Sequence, residues 1–249
     1  MPAHRRPLAT AVALALVLGP ALACGASGES DDAPAPEAPA PAAAVTYDTA
    51  FWTELCGGPV TRPASQPGER RAAWQEYREM EADESRARAC SPQRSLLDAA
   101  AGLYRLAMEA AQTNDDPTFV RYIRLGALDL ADPLALAKLG QLEHRGLGPT
   151  PERPNTPVIE RDLGLAFAHV QAAMTIADGV RRATGDNHLL TLVVGGTLGI
   201  YDSYETAAVR AEYDIRTHQA EIQQRVQEIV RRYEALHGAL PAEAPTPAR

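Results

Sequence analysis

The chain has 249 residues, 45% of them hydrophobic, and 24 lysines and arginines stand against 32 aspartates and glutamates for a formal charge of −8. This is enough chain for one well-buried domain, and the acidic balance argues against nucleic acid or an anionic membrane surface as the ligand. Lys138 is the single lysine among the cations, which we read as codon bias without functional weight.

Residues 1–23 combine a basic start, "MPAHRR", an apolar run from Leu8 to Leu18 and a small-residue end. This pattern predicts an export signal that is removed, and the run is too short for a membrane-spanning helix. The stretch Ala21-Leu22-Ala23-Cys24-Gly25 satisfies the small-x-small rule of ordinary signal cleavage. It also resembles a bacterial lipobox with Cys24 as the lipid-bearing residue, although Ala21 stands where leucine is usual. Lipidation would place the protein in the cell envelope, with Gly25 favouring the outer membrane, facing the periplasm. The alternative is a soluble periplasmic or secreted protein.

Of the three cysteines, lipidation of Cys24 leaves Cys56 and Cys90 as a pair, either one disulfide or two unpaired thiols. A disulfide around this loop is worth roughly 3 to 4 kcal/mol in the chain-entropy account. Residues 24–45 are rich in Pro, Ala, Ser and acids and are expected to form a disordered tether reaching roughly 60 Å. The similar tail 239–249 is expected to be loose.

Between tether and tail the pattern is helical throughout. Residues 46–91 read as an N-terminal cap around a helix at 68–88, with Trp74, Tyr77 and Met80 on one side. The sequence 92–201 then carries a repeated start signal, Ser91-Pro92, Asp116-Pro117, Asp132-Pro133 and Thr156-Pro157. Each pairs an N-cap side chain with proline at the first helical position. The starts predict helices at 92–112, 117–130, 133–145 and 158–183, with helix pairs recurring about every forty residues. A further helix is expected at 187–201, where Gly195, Gly196 and Gly199 would admit close helix contact at about 1 kcal/mol each. Residues 202–238 read as one long helix. Its Ile215, Ile222, Ile229 and Leu236 repeat every seven residues but lack a good second seam, so docking within the chain is favoured over a dimer through 203–237.

Within 135–148, Ala135, Leu139-Gly140 and Gly146-x-Gly148 resemble the Sel-like repeat, a short relative of the tetratricopeptide repeat. The resemblance covers roughly residues 120–175 and continues into Ala172 and Ala173. It implies an all-α fold, a short α-solenoid of antiparallel helix pairs that binds a protein or peptide. In that family the small residues let paired helices approach, and the glycine pair ends the first helix. Two departures stand out: Glu143 occupies an aromatic position, and an insertion over 149–158 delays the second helix. Tyr122, Lys138 and Glu143 are the partner-binding candidates.

The six histidines show no HExxH or other metal-ligand spacing, and no nucleophile elbow, P-loop or dinucleotide fingerprint is present. No catalytic, cofactor-binding or metal residue is therefore assigned. The second reading is a small envelope hydrolase or hydrolase inhibitor acting on cell-wall material, because "AWQEYRE" (73–79) resembles a helix of periplasmic lysozyme-inhibitor-type domains.

Overall fold

A computed structural model describes residues 48–62 and 73–241, the side chains of 73–75 excepted, and these residues form ten α-helices and no strand. The protein is all-α. The helices are α1 (Thr49–Cys56), α2 (Ala73–Glu79), α3 (Ala82–Ala89), α4 (Leu96–Gln112), α5 (Asp116–Leu128), α6 (Pro133–Arg145), α7 (Leu163–Thr184), α8 (His188–Tyr204), α9 (Ala207–Glu212) and α10 (Gln219–His237). The expected signal, Cys24 and the expected tether over 24–45 lie outside the described residues.

Only two of the four proline signals start helices. For α6, Asp132 Oδ1 accepts from the backbone N–H groups of Leu134 and Ala135 at 2.6 and 3.1 Å, and Pro133 needs no partner. For α5 the cap moves back one residue, and Asp115 accepts from Thr118 N. Ser91-Pro92 loses to Ser95, whose hydroxyl accepts from Asp98 N while Asp98 accepts from Ser95 N, a reciprocal capping box. Thr156-Pro157 stays in a loop, and α7 waits for the Asp162 cap. The caps Ser95 and Asp132 are thus 37 residues apart while Asp115 and Asp162 are 47 apart, so the even forty-residue period does not hold.

Two of the expected helices break. The 68–88 helix divides at Met80 and Glu81 into α2 and α3. The expected helix over 202–238 divides among the end of α8, which stops at Tyr204, α9, which starts where the Thr206 hydroxyl accepts from Val209 N, and α10. Tyr213 then turns extended, with φ −148° and ψ 105°. Its ring stacks on His218 at 4.5 Å, and Gly164 leaves the space its hydroxyl fills. The 239–249 tail is not loose at its start: Leu240 N donates to Glu234 Oε1 at 2.9 Å, and the Leu240 side chain packs over Gly179.

Each helix from α3 to α8 packs on the next in the chain, most extensively α6 on α7, and α6 also meets α8. Helix α10 returns along α7 and touches α4. Its heptad residues Ile222 and Leu236, with Val226 and Tyr233, are buried against the chain's own helices, so that seam faces inward. Helix α7 is long and apolar enough to cross a membrane, but 72% of its most apolar window is buried inside the fold.

The α6–α7 contact is close because Gly140 has no side chain. A Cβ there would lie 2.8 Å from both the Ala166 carbonyl oxygen and Val170 Cγ2. Ala135, Leu139, Ala172 and Ala173 are all buried, with Ala135 packed against Gly126 of α5. Gly146 ends α6 at φ 72°, a conformation that disfavours other residues. Gly148, by contrast, has a negative φ and open space around it, so termination rests on Gly146 alone. Of the α8 glycines expected to admit helix contact, Gly195 and Gly199 face open space, and Gly196 meets α6, where an added Cβ would lie 3.3 Å from Gln141 Nε2.

The 149–158 insertion folds back onto the start of α5. Arg153 Nη1 donates to Asp116 Oδ1 at 3.2 Å and Nη2 to Asn114 Oδ1 at 2.7 Å, and the Thr156 hydroxyl donates to Asp116 Oδ2. Asp116 is only 7% exposed, so its carboxylate organises the loop. Asp116→Ala should cost about 1–3 kcal/mol and open the loop to protease. Urea melts and the mapped cleavage sites check this, and an unchanged midpoint with no new cut would count against it.

Candidate functional site

The three partner-binding candidates do not come together. Glu143 turns inward and is 7% exposed, with its Oε2 2.7 Å from His169 Nδ1. It lies one turn beyond Gly140, where α6 is pressed against α7, so it is enclosed and unable to meet a partner. Lys138 is partly buried, and its Nζ donates to Gln141 Oε1 at 3.0 Å. Burial, with the charge of Arg145, holds this ammonium below the usual lysine range. Gln141 in turn donates to the Gly196 carbonyl, which directs this pair toward α8.

Tyr122 alone sits in a groove, and α1 is what lies in it. Helix α1 forms because Asp48 Oδ1 accepts from Phe51 N at 3.0 Å and Gly57, at φ 68°, ends it. Only Phe51 and Trp52 are buried in this helix, at 3% and 2% exposure. The Phe51 ring meets those of Trp52 and Tyr122 edge-on, at 5.5 and 5.6 Å. Arg121 forks onto Glu54 at 3.3 and 2.8 Å and lies 5.0 Å from the Phe51 ring centre. Hydrogen bonding and charge from Arg121 hold the Glu54 carboxyl below its ordinary range, and burial raises Tyr122.

Two further ties hold the segment. Arg94 Nη2 donates to Thr61 O at 2.8 Å, and Cys56 is bonded to Cys90 with Cα atoms 5.5 Å apart. Helix α1 does not fill the groove. An open space of about 160 Å³ remains, lined by Phe51, Glu54, Leu55, Arg86, Arg121 and Tyr122. Arg86 is exposed and forms no ion pair among the described residues.

A second polar cluster joins α6, α8 and α9. His144 Nε2 is 2.7 Å from Ser203 Oγ, which also lies 2.6 Å from the Ile200 carbonyl oxygen. Arg161 Nε donates to the His144 carbonyl at 3.1 Å, and its guanidinium pairs with Glu212. A serine nucleophile needs a base, a group orienting that base, and N–H donors for the oxyanion. Here the nearby carboxylate is held by Arg161, and the N–H groups of Glu205 and Thr206 are bonded to carbonyls of the preceding turn. The base–nucleophile pair is present without its supporting groups.

Burial, then the charges of Arg161 and Arg145, hold His144 below its ordinary pKa, with Glu212 opposing. The fold therefore favours the neutral ring. This contribution is complete above about pH 6.5 and is lost as pH falls through the lowered folded value. Melting temperature should fall more steeply between pH 6.5 and 5 in the native chain than in His144→Asn. Parallel slopes would show that His144 does not contribute.

Among the described residues no group of three or more His, Cys, Asp or Glu side chains is placed to hold a metal ion. No protein-family model, no curated protein and no solved structure matches this chain, so its function is read from its own geometry.

Proposed function

We propose that this chain is an envelope-anchored helical-repeat scaffold that binds a protein or peptide partner. The observation that carries the reading is the packing of α3 to α8, each helix on its sequence neighbour, with α6 reaching past α7 to α8. Such neighbour-on-neighbour stacking is how short α-solenoids of antiparallel helix pairs hold together and present an extended binding face. The Sel-like spacing from Ala135 to Gly146, with Gly140 at the most extensive helix contact, supports the same reading. The anchor is a lipid on Cys24, the tether is 24–45, and the location is the outer membrane facing the periplasm. The scaffold acts as a monomer, since the α10 seam is covered from within.

Crosslinked pull-down from envelope fractions, together with mass spectrometry of the N-terminal peptide, tests this. We expect a specific partner and a lipid on Cys24. No enriched partner together with an unmodified Cys24 would remove the reading.

The 2.7 Å approach of Ser203 to His144 favours a second reading, a small envelope hydrolase. Fluorophosphonate labelling that is lost in Ser203→Ala would support it, and an unlabelled native chain would dismiss it.

A further inference from the structure

We infer that the groove beside Tyr122 is the partner site of this scaffold, that α1 is its built-in occupant, and that the Cys56–Cys90 bond keeps it closed. The inference rests on the scaffold reading above. The occupant it admits from outside is an amphipathic helix presenting two adjacent aromatics and a carboxylate two residues on, the chemistry of Phe51, Trp52 and Glu54.

The groove recognises that chemistry by several contacts. Arg121 is fixed over an aromatic ring and forks onto a carboxylate. Tyr122 supplies an edge-on ring, and Arg94 lies 5.9 Å from the Trp52 ring centre. The residual space beside α1 ends at Arg86, an exposed cation among the described residues, so an outside helix with a second acid would match the groove better than α1 does. Helix α1 contributes only two buried side chains in eight residues. The Cys56–Cys90 bond fixes the end of α1 to the residue that follows α3, 34 positions along the chain.

That bond sets the balance between inside and outside occupants. With it intact, α1 stays at high effective concentration beside Arg121. A dithiol reductant opens it by exchange: the dithiol becomes a disulfide, and Cys56 and Cys90 each take up a proton as free thiols. Helix α1 then competes without its cross-link, at a lower effective concentration, and an outside helix can replace it.

The test uses the full chain and a fluorescein-labelled copy of residues 48–58 carrying Cys56→Ser, read by fluorescence anisotropy. We expect the probe to bind about tenfold or more tightly after dithiol reduction than before. Arg121→Glu should weaken the reduced complex by a similar factor, and a probe also carrying Glu54→Arg should restore it. Equal binding before and after reduction overturns the inference, as does failure of the charge swap. Loss of helical circular dichroism on reduction overturns it too, because α1 would then belong to the core. If the envelope pull-down yields a partner but the probe does not bind, only this inference fails. If the probe binds while no partner is captured and Cys24 is unmodified, the scaffold reading fails.

Discussion

Gly140→Val should lower the melting temperature by about 10 °C, an effect of about 3 kcal/mol at the upper end of core overpacking. The new side chain meets the Ala166 carbonyl oxygen, which is α7 backbone, as well as Val170 Cγ2. The backbone oxygen cannot rotate away, so α7 must shift along the most extensive helix contact in the protein. Helix propensity opposes the loss by only a few tenths of a kcal/mol. Gly199→Ala is the matching control. It sits in a helix with no heavy atom within 4 Å of the added carbon, so it should stabilise by up to about 1 kcal/mol. Calorimetry on the two variants decides the matter: a Gly140→Val melt within a degree or two of the native chain would mean that α6 and α7 are not in close register.

His169→Leu should cost about 3–5 kcal/mol, because it leaves the Glu143 carboxylate buried without its partner. Both side chains are more than nine-tenths buried and 2.7 Å apart. Replacing the pair together, Glu143→Leu with His169→Leu, should recover most of the loss, since an apolar pair needs no hydrogen bond. Glu143→Leu alone should cost less than His169→Leu, because it leaves a polar ring behind and no carboxylate. Urea melts across the four-member cycle give the coupling energy. Additive single and double mutants would show that the two side chains are independent.

Local signals were legible where one residue settled the outcome. Asp132 with Pro133 placed α6 to the residue, because the Asp132 carboxylate takes two backbone N–H groups of the first turn. The same spelling failed at Ser91, where Ser95 and Asp98 offered two reciprocal bonds, and at Thr156, whose hydroxyl was taken by Asp116 forty residues back. Helix α1 went unread even though Asp48 and Gly57 are ordinary start and stop residues. The groove itself was out of reach, because Arg121 and Glu54 are 67 residues apart. Glu143 was misread for a related reason. A charged residue in a helix is usually solvated, and only the fold reveals His169 on the facing turn. Tyr122 was the one partner-binding candidate found in a groove.

The docking of α10 has a consequence for the order of assembly. Arg232 Nη1 donates to the Leu128 carbonyl, and the His237 ring meets that of Leu130, across more than a hundred residues in each case. The contacts from α3 to α8 join neighbours in the chain, and local contacts form fast, whereas distant ones wait for long loops to close. The array should therefore condense while α10 is still free, with the apolar side of α7 uncovered until α10 arrives. Synthesis delivers α10 after α3 to α8, so the interval before it docks is when a nascent chain is most exposed to self-association, and a truncation before Gln219 would extend that interval indefinitely.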